Sequence, residues 1–355
     1  MTVDTRPRAR RSPARPPGGV GGRTQIGGAA SVALRPALES PRRPARVLAA
    51  FPLAVYLEVR SEWEPHVIAL VSGEATRLPN AVVLSGPLDR LPLGDECWVG
   101  EGSIGLGGVA VRVRRWWDPA PPLGAADPAR LARALPLLDD ICVRAQRQPG
   151  LDVTGAPGLL SAGCRSGSLV DGIMAAERLL GLGPGLTPSG DDMLCGLLVT
   201  LRHLGLAAAA PRAVWLADWL AAAVTYDARA RTTPISATLL HCAARGEASS
   251  EVLGVLRGVA GQQPLDSAVH RLLRLGHTSG ADLAWGVRTG LAAVLALRSW
   301  PTGRSCGSEN GLDIGTDIGD IGTTGGTAIS TAGSASGSTA FSTAFSAGSR
   351  GRKRP

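Results

Sequence analysis

The sequence predicts an α+β protein, with a small N-terminal antiparallel β domain (a sheet or partial barrel) followed by a larger all-α helical domain. Three observations carry this. Apolar residues come in short runs broken by turn signals up to about residue 118, and at helical spacing from Asp127 onward. Both ends have the composition of tails. The hydrophobic share of the 355 residues, 44%, supports a real core, and with aromatics at 4% that core must be packed from Ala, Leu and Gly.

Taken in order, residues 1–45 hold nine Arg against two acids, with many Pro and no apolar signal-peptide run, and are expected to be disordered. The β domain is placed at 46–120. Its strands are read at 54–59, 67–71, 81–84, 97–99 and 109–113, separated by Ser72-Gly73, Leu78-Pro79-Asn80 and Ser85-Gly86-Pro87. Trp116 and Trp117 are expected to cap its core. The all-α domain is placed at 121–300. Asp127 caps a helix with Pro128 in its first position, and Leu131, Leu135 and Leu138 share one face. Further helices are expected near 167–181, 188–205, 211–229, 235–246, 249–261, 264–275 and 279–299. Residues 301–355 repeat Gly, Ser, Thr and Ala and are expected to be a second disordered tail.

Charge and residue usage exclude several function classes. The net charge of +8 lies in the tails, because residues 46–300 hold 23 Arg against 23 acids. A basic tail touches acidic surfaces loosely and is not a reading head, so specific nucleic-acid recognition is not expected. The single lysine is Lys353, which removes both a P-loop and Schiff-base chemistry. The six cysteines are scattered without a CxxC pair and imply a reduced, cytoplasmic protein. No uninterrupted apolar run reaches membrane-spanning length, so no membrane partner is expected. No His spacing suggests a metal site.

The densest motif is Gly181-Leu-Gly-Pro-Gly-Leu-Thr-Pro-Ser-Gly-Asp-Asp192, a glycine-rich loop entering a helix. Gly183, Gly185 and Gly190 admit close approach to the main chain, Thr187 or Ser189 can cap, and free N–H groups with the helix dipole favour a small anion. Ser189-Gly-Asp-Asp-Met-Leu-Cys-Gly196 is matched ninety residues on by Ser279-Gly-Ala-Asp-Leu-Ala-Trp-Gly286. Each reads as a capping box with Asp in place of Glu, and the last Gly allows another helix to come close. The two helices are therefore expected to pack as pseudo-symmetric partners with both N-termini at one pocket. A third motif, Arg231-Thr232-Thr233-Pro234-Ile235-Ser236, either binds a carboxylate or phosphate or merely starts a helix capped by Thr233. Asp191 and Asp192 can hold Mg²⁺ through water, act as general base, or complement the helix dipole. His277 is the one histidine beside a candidate site.

Together these motifs, with Gly276-His277-Thr278-Ser279-Gly280-Ala281-Asp282, resemble a bacterial family long listed as a domain of unknown function. It includes the AllH-like subunit of oxamate carbamoyltransferase from anaerobic allantoin breakdown. The resemblance runs through about 47–299, including Trp117-Asp118-Pro119. It implies carbamoyl transfer between carbamoyl phosphate and oxamate, giving oxalurate and phosphate, in a complex with other protein subunits. Under it, Gly183, Gly185, Thr187, Ser189, Gly190 and Asp191 would line the phosphate site. Arg231 and Thr232, with Thr233 and Ser236 beside them, would neutralise phosphate or the oxamate carboxylate. His277, Thr278 and Ser279 would polarise the carbamoyl carbonyl, and Asp192 or Asp282 would orient the amine or act as base. Two other readings stay open: a Mg²⁺-dependent hydrolase using Asp191 and Asp192, and a non-catalytic scaffold subunit whose pocket senses a metabolite.

Overall fold

The computed structural model describes residues 24–61, 64–88 and 97–298. Its β part corrects the predicted fold class. Eight strands close into a barrel: β1 (Thr24–Ser31), β2 (Arg43–Phe51), β3 (Ala54–Val59), β4 (Val67–Val71), β5 (Ala81–Leu84), β6 (Cys97–Gly100), β7 (Ser103–Leu106) and β8 (Val109–Trp117). The order around the barrel is β1-β5-β4-β3-β2-β6-β7-β8, and β8 returns to β1. It is neither a sheet nor a partial barrel, and it is not wholly antiparallel, because β1 with β8 and β4 with β5 run parallel. Closure removes the sheet edges that an open sheet would have to protect.

The strand that closes the barrel lies inside the segment expected to be a tail. β1 and the start of β2 fall within residues 24–45, and between them Leu34 and, at the end of α1 (Arg35–Leu38), Leu38 belong to the barrel core. The remainder of the expected N-terminal tail, residues 1–23, and the expected C-terminal tail lie outside the described residues, as do Cys306 and Lys353. Alternation sorts β3, with Val55, Leu57 and Val59 inward and Ala54, Tyr56 and Glu58 outward. In β4, Ile68 and Leu70 fill the barrel while Ala69 and Val71 pack outside it, which explains a strand buried at every position. Trp116 packs against the barrel core as expected, while Trp117 belongs to the outer cluster.

The helices are α2 (Pro128–Arg144), α3 (Ala156–Ser166), α4 (Leu169–Leu179), α5 (Ser189–Ala207), α6 (Pro211–Tyr226), α7 (Ala228–Arg231), α8 (Pro234–Ala244), α9 (Ser250–Val259), α10 (Leu265–Leu273) and α11 (Ser279–Arg298). Asp127 caps α2 by accepting from the Ala129 N–H, and Thr233 caps α8 by accepting from the Ser236 N–H. Helix α5 is buried at nearly every position, so it is the axis of the helical layer. Among the described helices, α11 alone has the length and mean hydropathy of a membrane span. That character belongs to a core helix here, with two thirds of it buried, Asp282 inside and Arg288 paired with Asp139.

Barrel and helices lie in one compact unit. The Val67 N–H donates to Thr238 Oγ1 at 3.2 Å, Ala248 N–H to the Pro119 carbonyl at 3.0 Å, and Ser250 N–H to the Arg77 carbonyl at 3.2 Å.

Candidate functional site

The paired Ser-Gly-x-Asp segments start α5 and α11, and the structure brings the two starts together. Gly196 and Gly286 face each other where the helices cross. A Cβ on Gly196 would collide with the Leu283 carbonyl, and one on Gly286 with the Met193 carbonyl. The equivalence extends to the loops: Gly190 N–H donates to the Leu182 carbonyl at 2.9 Å and Gly280 N–H to the Leu275 carbonyl at 3.0 Å. In both, the serine is the first helical residue rather than the cap. Pro188 precedes α5 without a side-chain cap, so the capping-box reading gives way to a different use of these serines.

That use is an exchange of hydroxyls between the two starts. Thr187 Oγ1 lies 3.2 Å from Ser279 Oγ, and Ser189 Oγ lies 3.4 Å from Thr278 Oγ1. The first pair serves Asp192 and the second serves Asp282. Each carboxyl thus receives one hydroxyl from its own start and one from the other. Gly150 lies over this cluster, its N–H donating to Asp282 Oδ1 at 2.8 Å, and a Cβ there would strike Ser189 Oγ.

The adjacent acids of the first motif point apart. Asp191 is fully buried and accepts from the Gly181 N–H at 2.7 Å, from the Ser236 hydroxyl at 2.7 Å and from the Thr232 hydroxyl. It ties the glycine loop to the Arg-Thr-Thr segment and so organises the site without entering it. Gly181, at φ +75°, takes a backbone form that favours glycine, and a Cβ there would meet the Arg231 carbonyl. Asp192 faces the other way. Its Oδ2 is buried and without a partner, as is Oδ2 of Asp282.

Burial is the main reason the Asp192 carboxyl is pushed up to about 8. The Ser279 and Thr187 hydroxyls, which favour the charged form, pull it part of the way back, and the neighbouring acids Asp282 and Asp191 push it further up. Asp282 is raised as well, again chiefly by burial, against the Gly150 N–H and two hydroxyls. Near neutral pH Asp192 is therefore a carboxylic acid, able to donate one hydrogen bond and accept others.

Asp192 opens into a cavity of about 260 Å³ between the helices and the barrel. Thr187, Asp192 and Ser279 form its polar end. Leu239, Val252 and Leu283 supply an apolar wall from the helices, and Tyr56, Val71 and Leu78 close it from the barrel side. No cationic side chain lines it among the described residues. The N–H groups of residues 190–192 and 280–282 all donate to nearby carbonyls, so none of the six is left for an oxyanion. This chemistry suits an uncharged polar group better than a phosphate.

The predicted site residues therefore divide. Thr187, Ser189, Asp192, Thr278, Ser279 and Asp282 come together at the twin helix starts. Asp191, Thr232 and Ser236 form the buried brace behind them, and Thr233 Oγ1 holds the Leu186 carbonyl at 2.5 Å. Gly183 and Gly190 pack the loop onto Ser189 and Leu179, while Gly185 stands in open space. Arg231 is exposed and donates to the Glu177 carbonyl at 2.7 Å, and His277 is exposed; neither lines the cavity. The sequence reading missed the barrel wall and Gly150. No local signal marks Tyr56 or Leu78 as cavity residues, because their role arises only when barrel and helices meet. Among the described residues no three His, Cys, Asp or Glu are arranged so that they could hold a metal ion together, and Asp191 and Asp192 point apart.

Residues 179–291 match the family described as oxamate carbamoyltransferase subunit AllH, the family that the three motifs resemble. That segment runs from the end of α4 into α11 and contains all six residues of the twin helix starts. No solved structure matches the chain.

Proposed function

We propose that this chain is a subunit of a carbamoyltransferase, and that its cavity holds the carbamoyl or amide group of a small substrate. The observation that carries the reading is the buried Asp192 carboxyl, within the family-matched segment, whose Oδ2 has no partner at the polar end of a cavity. A carboxylic acid and an amide are complementary: the acid O–H donates to the amide carbonyl while its other oxygen accepts an amide N–H. In carbamoyl transfer the acceptor nitrogen attacks the carbamoyl carbon, the N–C bond forms, and the C–O bond to phosphate breaks. The nitrogen's proton passes to a base, and negative charge gathers on the carbamoyl oxygen in between. The Asp192 O–H would donate to that oxygen while the Thr187 and Ser279 hydroxyls hold the carboxyl in place, a preorganised arrangement of the oxyanion-hole type. The cavity offers no cation to the phosphate or to a substrate carboxylate, so this reading assigns those charges to groups outside it. That division fits a protein working as one of several subunits.

The Mg²⁺-hydrolase reading has less support, since Asp191 and Asp192 diverge and Asp191 is consumed by its three donors. The test is thermal unfolding of the full chain with oxamate, oxalurate and carbamoyl phosphate. At least one is expected to raise the melting temperature of the wild type and of Arg231→Ala, and not of Asp192→Ala. A shift that survives in Asp192→Ala, or no shift with any of them, would overturn the cavity assignment.

A further inference from the structure

We propose that a second concavity, at the seam between the barrel and α7, is a binding site for a phosphate-class dianion. It lies beside β2 and β3 and is lined by Arg43, Arg46, Glu58, Arg60, His66 and Arg229, with a volume of about 630 Å³. This is within the usual range for ligand pockets, roughly 300–1,000 Å³. Four guanidinium groups converge there from three parts of the chain: the first half of β2, the residue just after β3, and α7.

Their pairing leaves positive charge over. Arg46 is paired with Glu58, its register partner on β3. Neither Arg43 nor Arg60 has a carboxylate within ion-pair distance among the described residues. Arg229 reaches across from the helical layer to the barrel side, its Nη1 2.9 Å from Nε2 of the buried His66. Glu64 Oε1 lies 3.2 Å from the same nitrogen, and one ring nitrogen cannot both accept from Arg229 and donate to Glu64. Arg229 carries a permanent charge and has only donors to offer, so in this contact Nε2 is the acceptor. Glu64 is fixed independently by accepting from the His66 backbone N–H at 2.9 Å, and His241 Nε2 lies 3.6 Å from its Oε1. Even counting Glu64 with Glu58, the four arginines leave a surplus of two positive charges among the described residues.

A surplus of two fixed charges in a recess matches a doubly charged oxyanion. Guanidinium groups suit this role because each presents paired N–H donors that match two oxygens of a phosphate or carboxylate. The His66 contact matters because it fixes one guanidinium before any ligand arrives, reducing the ordering cost of binding. The contrast with the first cavity is chemical: one has a carboxyl with an unpartnered oxygen and no cation, the other has cations without carboxylate partners, among the described residues. The two lie along one strand, since Tyr56 lines the first and Glu58, the next outward residue of β3, lines the second. This proposal does not depend on the carbamoyltransferase reading.

The experiment is calorimetric titration of the full chain with inorganic phosphate, and separately with oxalate, in 150 mM NaCl. Phosphate is expected to bind at one site, more tightly than oxalate, and at least tenfold more weakly to Arg60→Ala and to Arg229→Ala. Arg60 is exposed and has no ion-pair partner among the described residues, so its variant keeps the test valid should Arg229→Ala disturb the fold. Arg231→Ala removes the same charge from outside the recess and is expected to bind as the wild type does. The proposal is overturned if the wild type does not bind phosphate. It is equally overturned if oxalate binds as tightly, if Arg231→Ala weakens binding as much as Arg60→Ala, or if Arg60→Ala binds unchanged.

Discussion

Asp191 and Asp192 show how far two neighbouring residues of one type can part. The fold satisfies the first with three donors and leaves an oxygen of the second without any. The sequence marked both as important but could not divide their roles, because that depends on which face of the helix start meets Thr232 and Ser236 and which meets the cavity. For Arg231 and His277 the residue type was informative and the direction was not: both lie beside the site in sequence, and both end in solvent. Asp192 yields a prediction in pH. Its folded pKa of about 8 lies above the ordinary carboxylate value of 3.8, so the folded state holds a proton that the unfolded state has released. Stability from this group is complete below about pH 4 and is lost as pH rises through 8, at no more than about 1.4 kcal/mol per pH unit. Asp282 is shifted in the same direction and adds to the slope. Urea midpoints measured from pH 5 to 8 are expected to fall for the wild type and to fall less for Asp192→Asn. Parallel slopes for the two proteins would show that Asp192 is ionised in the folded state.

At the scale of elements, the helices were largely legible because period and start signals agree. The segments expected at 188–205, 264–275 and 279–299 became α5, α10 and α11 with shifts of a residue or two. Helix α3 was missed because Ala156-Pro157-Gly158 and Gly163 read as loop, although Gly163 sits against the backbone of Asp171 and Gly172 where α3 and α4 pack. Strands β1 and β2 were missed because Gly27-Gly28 and the Arg/Pro context resemble a tail, and β7 because Ser103-Ile-Gly-Leu106 is too short to show alternation. The repeated Ser-Gly-x-Asp pattern was the most productive signal, since it placed two helix starts together and gave the final glycines a packing role. That role is measurable. Gly196→Ala and Gly286→Ala each push a methyl into the backbone of the opposite helix and are expected to cost at least about 1–3 kcal/mol, the usual range for overpacking. Gly73→Ala, where a Cβ meets nothing within 4 Å, is expected to be within about 0.5 kcal/mol of the wild type, as at most surface positions. Denaturant unfolding of the three variants checks this, and equal stability of all three would remove the close-crossing account of the α5–α11 pair.

At the scale of the whole molecule, the sequence reading set a β part before an α part but did not show that they cooperate. Barrel closure depends on a parallel pairing of β1 with β8, nearly ninety residues apart, and long-range pairings of this kind leave no local trace. The cavity follows from the same long-range assembly, because its polar end comes from α5 and α11 and its opposite wall from β3, β4 and the turn after β4. A site confined to the helical domain would need no barrel. The observed one does, and this can be separated from the chemistry of Asp192 by changing only the far wall. Ala75 lies in that turn, is half-buried and lines the cavity from the barrel part rather than from the helix starts. Replacing it with Trp adds a side chain of the size that buries 150–250 Å², enough to occupy much of the space while its edge remains toward solvent. Ala75→Trp is expected to abolish the thermal shift given by the amide ligand, to keep the pH slope of the wild type, and to melt within a few degrees of it. An undiminished ligand shift would place the ligand on the helical side alone and make the barrel a support rather than half of the site.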